Sequence, residues 1–154
     1  MGTRGDIRPG VDRGGAPVKE YVLDCSMTLC WCFEDEKTER SESLLDALEG
    51  GVTMVPSLWY FEVANALVVA ERRGRISRAA AAAFLNLLSA LPIVVDPESA
   101  THAWSGVITL AREHRLSAYD AAYLELALRR GSPLATRDQR LASAAETLGV
   151  PVLQ

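Results

Sequence analysis

The segment EYVLD, residues 20–24, predicts a short buried strand that ends in an acidic side chain. Ser26 is a residue type that commonly begins a helix, and apolar residues continue a helical pattern through Leu29 and Phe33. A strand that leads directly into a helix is the repeating unit of α/β domains. We therefore expect Asp24 to lie at the carboxyl end of a strand, where open α/β sheets bind their ligands.

The rest of the chain repeats this alternation of strands and helices. Further strands are predicted at 52–55, 93–95, 133–136 and 150–153. Helices are predicted between them, around Leu44–Leu48, from Ser57 to Arg73, from Ser77 to Ala90, around Trp104–Leu110, from Ser117 to Arg130 and from Asp138 to Leu148. This order predicts an α/β domain with three α/β/α layers and a mainly parallel central sheet. The glycine-rich residues 1–19 are predicted to be a flexible tail, and residues 20–154 a single domain.

Composition narrows the class of protein. The 154 residues are 49% hydrophobic and carry a net charge of −4, which is typical of a globular domain and disfavours nucleic-acid binding through bulk charge alone. No apolar run is long enough to span a membrane, and the N-terminus has no secretory signal. The three cysteines are an odd number crowded at positions 25, 30 and 32. We therefore expect a reducing, cytoplasmic location rather than a disulfide framework.

Four acidic residues are candidate site residues, although each also has an ordinary explanation. Asp24, Asp120 and Asp138 lie where helices are predicted to begin, so each could be a capping residue. Glu62 lies in LWYFEVANAL, a helix that is apolar nearly all round and is therefore predicted to be buried, and an ion pair with an arginine could explain it. Asn65 falls on the same helical face as Glu62.

The joint placement of the four acids is more informative than any one of them. Two follow predicted strands, and two lie early in helices that could converge on the same sheet edge. Several carboxylates in one crevice repel each other unless a counter-charge is present. A hard divalent cation such as Mg²⁺ or Mn²⁺ prefers oxygen ligands and can assist phosphodiester cleavage.

Four segments of the chain together resemble the PIN-domain family, and most of all its VapC-type toxins of bacterial toxin–antitoxin pairs. The segments are VLDCS at 22–26, EVANAL at 62–67, LSAYDAAY at 116–123 and LATRD at 134–138, and the resemblance spans residues 20–153. Cys25 stands where many relatives carry a smaller residue. The glycine-rich tail is outside the family core.

The resemblance implies a Mg²⁺-dependent endoribonuclease that cuts RNA with a metal-activated water. It assigns Asp24, Glu62, Asp120 and Asp138 to the catalytic metal site. It makes Ser26 and Thr136 supporting polar groups, and Asn65 a supporting partner of the acids. It also implies a homodimer and a cognate antitoxin that occupies the active-site groove.

Other functions fit the residues less well. Asp24 and Thr28 echo the first motif of haloacid-dehalogenase-type phosphatases, but no lysine follows Lys37, and that chemistry and receiver-domain phosphorylation both need one. The cysteines match no standard zinc spacing. A PIN scaffold that only binds its antitoxin, or a housekeeping RNA-processing nuclease, remains the alternative. Trp31, Trp59 and Phe33 could serve a partner surface or the core.

Contacts outside the acids are also predicted. Arg137, beside Asp138, is predicted to contact substrate phosphate. Arg129 and Arg130 could simply complement a helix C-terminus. Glu125 is predicted to point outward into solvent.

Overall fold

The computed structural model describes residues 19–154 as five parallel strands flanked by helices. The strands, in the spatial order β3-β2-β1-β4-β5, are β1 (Glu20–Leu23), β2 (Val52–Val55), β3 (Ile93–Val95), β4 (Leu134–Ala135) and β5 (Val152–Leu153). The helices are α1 (Cys25–Cys30), α2 (Glu39–Glu49), α3 (Leu58–Arg72), α4 (Arg78–Ala90), α5 (Ile108–His114), α6 (Ala118–Arg130) and α7 (Gln139–Thr147). The predicted three-layer α/β fold with a parallel sheet is confirmed. Of the predicted tail, only Lys19 lies within the described residues.

The middle strand β1 forms the centre of the core. Val22 and Leu23 are fully buried, as expected for a parallel strand that is covered on both faces. Leu23 pairs with Ala135 of β4, and Val22 pairs with Met54 of β2. The sheet order therefore places the carboxyl ends of β1 and β4 side by side, and this is where the candidate residues are expected to meet.

The ends of several elements differ from the sequence-based expectation. Helix α1 begins at Cys25, before Ser26, and ends at Cys30, before Phe33. A 3₁₀ turn at Glu34–Glu36 and a π-helical segment at Ala103–Val107, which leads into α5, were not predicted. Such boundaries depend on tertiary contacts, which the periodicity of a sequence does not report.

The prediction that helix α3 is buried all round is wrong. Trp59, Val63 and Leu67 face the core, whereas Tyr60 is 50% exposed and Phe61 is 77% exposed. The open face adjoins an apolar cleft of about 530 Å³ between α3 and α4. Trp31, Trp59 and Phe33 are buried, so the core accounts for these three aromatic residues.

No helix between residues 19 and 154 has both the length and the apolar character needed to cross a bilayer.

Candidate functional site

Asp24 lies directly after β1 and is only 3% exposed. Its Oδ2 atom accepts hydrogen bonds from the Ser26 hydroxyl at 2.6 Å and the Thr136 hydroxyl at 2.7 Å. Asp24 occupies the N-cap position of α1 but makes no side-chain capping bond. The capping explanation for Asp24 is therefore wrong, and its carboxylate is held by two hydroxyls from adjacent strand ends.

Glu62 lies in the second turn of α3 and is half-buried. Its Oε1 atom accepts a 2.6 Å hydrogen bond from the hydroxyl of Tyr123, a fully buried residue of α6. The ion pair with an arginine that would have been the ordinary explanation of Glu62 is absent from the described part of the chain. The hydrogen bond from Tyr123 was missed by sequence reasoning. The only available signal was that Tyr123 follows Asp120 by one helical turn, which puts both on one face of α6.

Asp120 and Asp138 lie at the beginnings of helices, as predicted. Ser117 caps α6 by accepting a hydrogen bond from the backbone N–H of Asp120 at 3.0 Å. Asp138 is the N-cap of α7, and its Oδ1 atom accepts the N–H of Leu141 at 2.8 Å. The capping role of Asp138 is therefore real, and it does not conflict with a further role for the same carboxylate.

The acids influence each other electrostatically. Burial raises the pKa of Asp24, and the charge of Asp120 raises it further. Burial also raises the pKa of Glu62, with added repulsion from Asp24 and Asp120. The pKa of Asp120 is raised by burial and by the charge of Asp138. These repulsions link the four carboxylates into one cluster of like charge.

This cluster has no paired cation among the residues that the structure describes. Within residues 19–154, none of the four acids forms an ion pair, whereas Glu20, Asp96 and Glu125 are each paired with an arginine. The nearby uncharged donors are the hydroxyls of Ser26 and Thr136. Carboxylates and hydroxyls form an oxygen-only ligand set, which suits Mg²⁺ or Mn²⁺ better than a softer metal.

The acids are not pre-arranged as a chelate. In the described part of the chain, no three acidic, histidine or cysteine side chains are spaced to hold one metal ion as they stand. Asp24, Glu62 and Asp138 each make hydrogen bonds within the protein, and their like charges repel. The residues fit a hard cation by their chemistry and by their unbalanced charge.

The cysteines next to the site are suited to packing rather than to metal binding. Burial, followed by the charges of Glu62 and Asp24, raises the pKa of Cys25 to about 12. Burial also raises the pKa values of Cys30 and Cys32. All three are free thiols. Buried, protonated thiols of this kind pack as small apolar groups.

The two remaining predicted site residues have no hydrogen bond to the acids within the described residues. Asn65 lies on the exposed side of α3. Arg137 donates from Nη1 to the carbonyl of Glu36 at 2.8 Å and to Cys30 Sγ at 3.0 Å, and its backbone N–H donates to the Ser26 hydroxyl at 2.9 Å. The Nη1 group of Arg137 thus links the end of α1 to the 3₁₀ turn that follows it. The supporting role of Asn65 and the phosphate contact of Arg137 stay predictions.

A second polar cluster was missed by sequence reasoning. Glu125 was predicted to point into solvent, but this is wrong, since it is 7% exposed and accepts a hydrogen bond from Arg129 Nε at 2.8 Å. Arg129 also donates to buried Asp96 at 2.6 Å. Arg130 donates two hydrogen bonds to Glu20. Both arginines therefore do more than complement the C-terminus of α6.

The raised pKa values lead to an expected pH dependence of stability. A carboxyl group with a raised folded-state pKa contributes stability that is complete below its unfolded pKa and is lost as pH rises through the folded pKa. For Asp24, Glu62 and Asp120, whose ordinary values are 3.8 to 4.5, the free energy of unfolding should fall as the pH rises above about 4.5 without divalent cations. Urea unfolding in EDTA at about pH 5 and pH 7 would measure this.

Two further measurements test whether the carboxylates cause this pH dependence. Mg²⁺ should restore stability at pH 7 because a ligand that binds only the folded state stabilises it. Asp24→Asn should reduce the pH-dependent loss. An unchanged loss in that variant would contradict the assigned repulsion. Glu20, whose pKa is lowered mainly by Arg130, acts in the opposite sense and only in more acidic solution.

Comparisons with known proteins agree with the architecture. The family model described as the PIN domain matches residues 21–147. Ribonuclease VapC3 from Pyrobaculum aerophilum is 29% identical over 132 residues, which are 86% of this chain and 99% of that protein. The structure of PAE2754 from the same organism has a TM-score of 0.63 and 25% identity, and it covers 88% of this chain and 90% of that chain.

Two more distant structures share the fold alone. VapBC2 from Rickettsia felis, bound to a DNA fragment from the promoter, has a TM-score of 0.63 and 10% identity, with coverage of 86% of this chain and 96% of that chain. FitAcB from Neisseria gonorrhoeae has a TM-score of 0.60 and 17% identity, with coverage of 87% and 96%.

Proposed function

Because this chain belongs to the PIN-domain family, we propose that it is a metal-dependent endoribonuclease and the toxin of a toxin–antitoxin pair. The similarity to a protein named as a ribonuclease over nearly its whole length supports the choice of RNA as substrate. The three free cysteines suit action in a reducing cytoplasm.

The observation that carries this proposal is the cluster of four acids, none of which is paired with a cation from residues 19–154. Ion pairs elsewhere in the chain show that arginine is available to neutralise buried carboxylates, as Arg129 does for Asp96 and Glu125. At the carboxyl ends of β1 and β4 the acids are left unpaired within the described residues. Carboxylates that are left to repel each other in this way are more typical of a functional site than of a cluster that stabilises the fold.

Asp24, Glu62, Asp120 and Asp138 would hold the cation, Mg²⁺ or alternatively Mn²⁺. When bound, the cation would supply an activated water and charge stabilisation for phosphodiester hydrolysis. Ser26 and Thr136 fix the orientation of Asp24 by donating to the same oxygen. Tyr123 holds Glu62 in the same way from α6. Asn65 and Arg137 would support the acids and the substrate.

The antitoxin is proposed to cover apolar surface that this chain leaves open. VapBC2 from Rickettsia felis, whose structure includes a DNA fragment from the promoter, shares the fold. Here, the exposed Phe61 and Tyr60 and the adjoining cleft between α3 and α4 offer a surface for a protein partner. Self-association into a homodimer would use apolar surface as well. A small neighbouring gene with a DNA-binding N-terminus would support the toxin role, whereas an isolated gene would favour a housekeeping RNA-processing nuclease.

The full-length chain should cleave a single-stranded RNA of mixed sequence in the presence of Mg²⁺ or Mn²⁺. It should not do so in EDTA, because the acids then lack the cation that the chemistry requires. Gel analysis of the products, with the metal added back after chelation, would measure this. A chain that binds an antitoxin but never cleaves RNA would favour the scaffold alternative and overturn the nuclease proposal.

A further inference from the structure

A polar cleft of about 500 Å³ lies between the end of α5 and helix α7. Its charged lining is basic: His114 and Arg115 come from the end of α5, and Arg140 comes from the first turn of α7. Neither arginine forms an ion pair with any residue between 19 and 154. The cleft therefore presents to solvent two positive charges that no acidic residue of the described chain compensates.

Both walls of this cleft continue directly into the proposed metal site. Asp138, the N-cap of α7, precedes Arg140 by two residues. On the other wall, Asp120 follows Arg115 by five residues, in the first turn of α6. Helix α6, which begins just before Asp120, packs against α7, which begins just after Asp138, so the two walls approach each other. A strand of RNA cut at the acids would thus pass next to the basic cleft.

The backbone conformation of Arg115 is one that glycine adopts more easily, so the presence of an arginine there points to a role for its side chain. Arg115 has a φ of 56° in the left-handed region, and it is the only non-glycine residue with a positive φ in the described part of the chain. The equivalent positions after α3, α6 and α7 are Gly74, Gly131 and Gly149. Glycine adopts this conformation without a steric penalty, whereas other residues are strained. Of these four left-handed positions, the one that lines the cleft is occupied by an arginine.

The position of Arg140 also disfavours a role in helix stability. It is the second residue of α7, at the positive end of the helix dipole, where a cation is unfavourable. Because the carboxylate of Asp138 already accepts the N–H of Leu141 in this turn, a phosphate here would be held by the guanidinium of Arg140 through charge-assisted hydrogen bonds.

We infer that the cleft of Arg115 and Arg140 binds backbone phosphates of the single-stranded RNA next to the cleavage site. This inference rests on the proposed function, since it names how the same site holds its substrate. His114 also lines the cleft and adds a hydrogen-bonding group. Recognition by phosphate contacts is independent of sequence, so the cleft would set the path of the strand rather than the sequence that is cut.

The test measures RNA binding separately from cleavage. The full-length Asp24→Asn chain, with Mg²⁺ present, is titrated against a labelled single-stranded oligoribonucleotide by fluorescence anisotropy at several salt concentrations. Adding Arg115→Gly and Arg140→Ala should weaken binding by about 10-fold or more at low salt. Loss of two contacts to a single strand should also lower the slope of log K against log salt by about 1.4. The matched control is Arg72→Ala with Arg73→Ala, which removes the same charge from exposed arginines at the end of α3 and should leave the slope unchanged.

Thermal stability separates this role from a structural one. Arg115→Gly relieves the left-handed strain, so the Tm should rise by about 2–5 °C while RNA binding weakens. If Arg115 only complemented the C-terminus of α5, its removal would lower the Tm and leave RNA binding unchanged.

The outcomes distinguish the inference from the proposed function. If the Arg115/Arg140 variant binds RNA with the affinity and salt slope of the parent, the inferred phosphate contacts of the cleft are wrong, even if the parent cleaves RNA. An equal loss of affinity in the Arg72/Arg73 control would also contradict the inference, because RNA would then bind through diffuse charge. An absence of any RNA binding would contradict it as well. A selective loss in the cleft variant combined with no cleavage by the parent would leave the cleft standing and refute the nuclease.

Discussion

Asp24→Asn is expected to reduce metal-dependent RNA cleavage by at least about 100-fold, because several kcal/mol of charge stabilisation depend on the cation and each 1.36 kcal/mol is tenfold in rate. Asp24 is the most buried of the four acids and the one fixed by two hydroxyls. The amide is nearly the same size as the carboxylate, so the fold should persist. Initial rates of RNA cleavage at saturating Mg²⁺ would measure the effect.

The fold of this variant serves as an internal check. Without divalent cations, Asp24→Asn should be at least as stable as the parent at pH 7, because it removes one buried charge from a set of like charges. Asp46→Asn is the matched control: it removes the same charge from an exposed position on α2 and should leave cleavage unchanged. Cleavage by Asp24→Asn at the parental rate would remove Asp24 from the site and with it the proposed mechanism.

Arg129→Met is expected to lower the free energy of unfolding by about 3–5 kcal/mol, the cost of removing one partner from a buried ion pair. Arg129 donates to Asp96 and Glu125, and both carboxylates are buried. Without the guanidinium, these two carboxylates would lose their arginine partner, and among the described residues only the imidazole of His102, whose Nδ1 atom is 3.7 Å from Glu125 Oε1, would stay beside them. Urea unfolding at pH 7 would measure the loss.

Three comparison variants define what that loss means. Arg129→Lys keeps the charge but not the planar, forked set of donors, so it should lose less and still fold. Adding Glu125→Gln to Arg129→Met should recover part of the loss, because one uncompensated charge disappears. Arg72→Met, on the exposed end of α3, should change stability by no more than about 0.5 kcal/mol. A loss below about 1 kcal/mol for Arg129→Met would show that the cluster contributes little.

The two clusters show opposite solutions to the same physical problem. At Asp96 and Glu125 a guanidinium neutralises the buried carboxylates within the chain. At Asp24, Glu62 and Asp120 the described residues supply hydroxyl groups and no positive charge. The first arrangement stabilises the fold, and the second retains the negative potential that would attract a cation. The sequence shows acidic residues at both places, and only the contacts tell them apart.

The sequence by itself determined the features that local chemistry controls. Short apolar runs between helices predicted the parallel sheet, and Ser117 and Asp138 were predicted as helix caps because their hydrogen bonds reach only to the next turn. The position of Asp24 at a strand end follows from the same local pattern. That the carboxyl ends of the strands lie at one edge follows from the general behaviour of parallel sheets, whereas the pairing of β1 with β4 is known only from the structure.

Only the tertiary structure decided which distant groups meet and which faces stay open. Tyr123 reaches Glu62 across 61 residues, and Glu125 points inward because Arg129 donates hydrogen bonds to it as well as to Asp96. The apolar composition of α3 predicted full burial, yet Phe61 is exposed because no other element of the described chain covers that side. Such pairings depend on how elements pack across the sheet, so a one-dimensional periodicity cannot encode them.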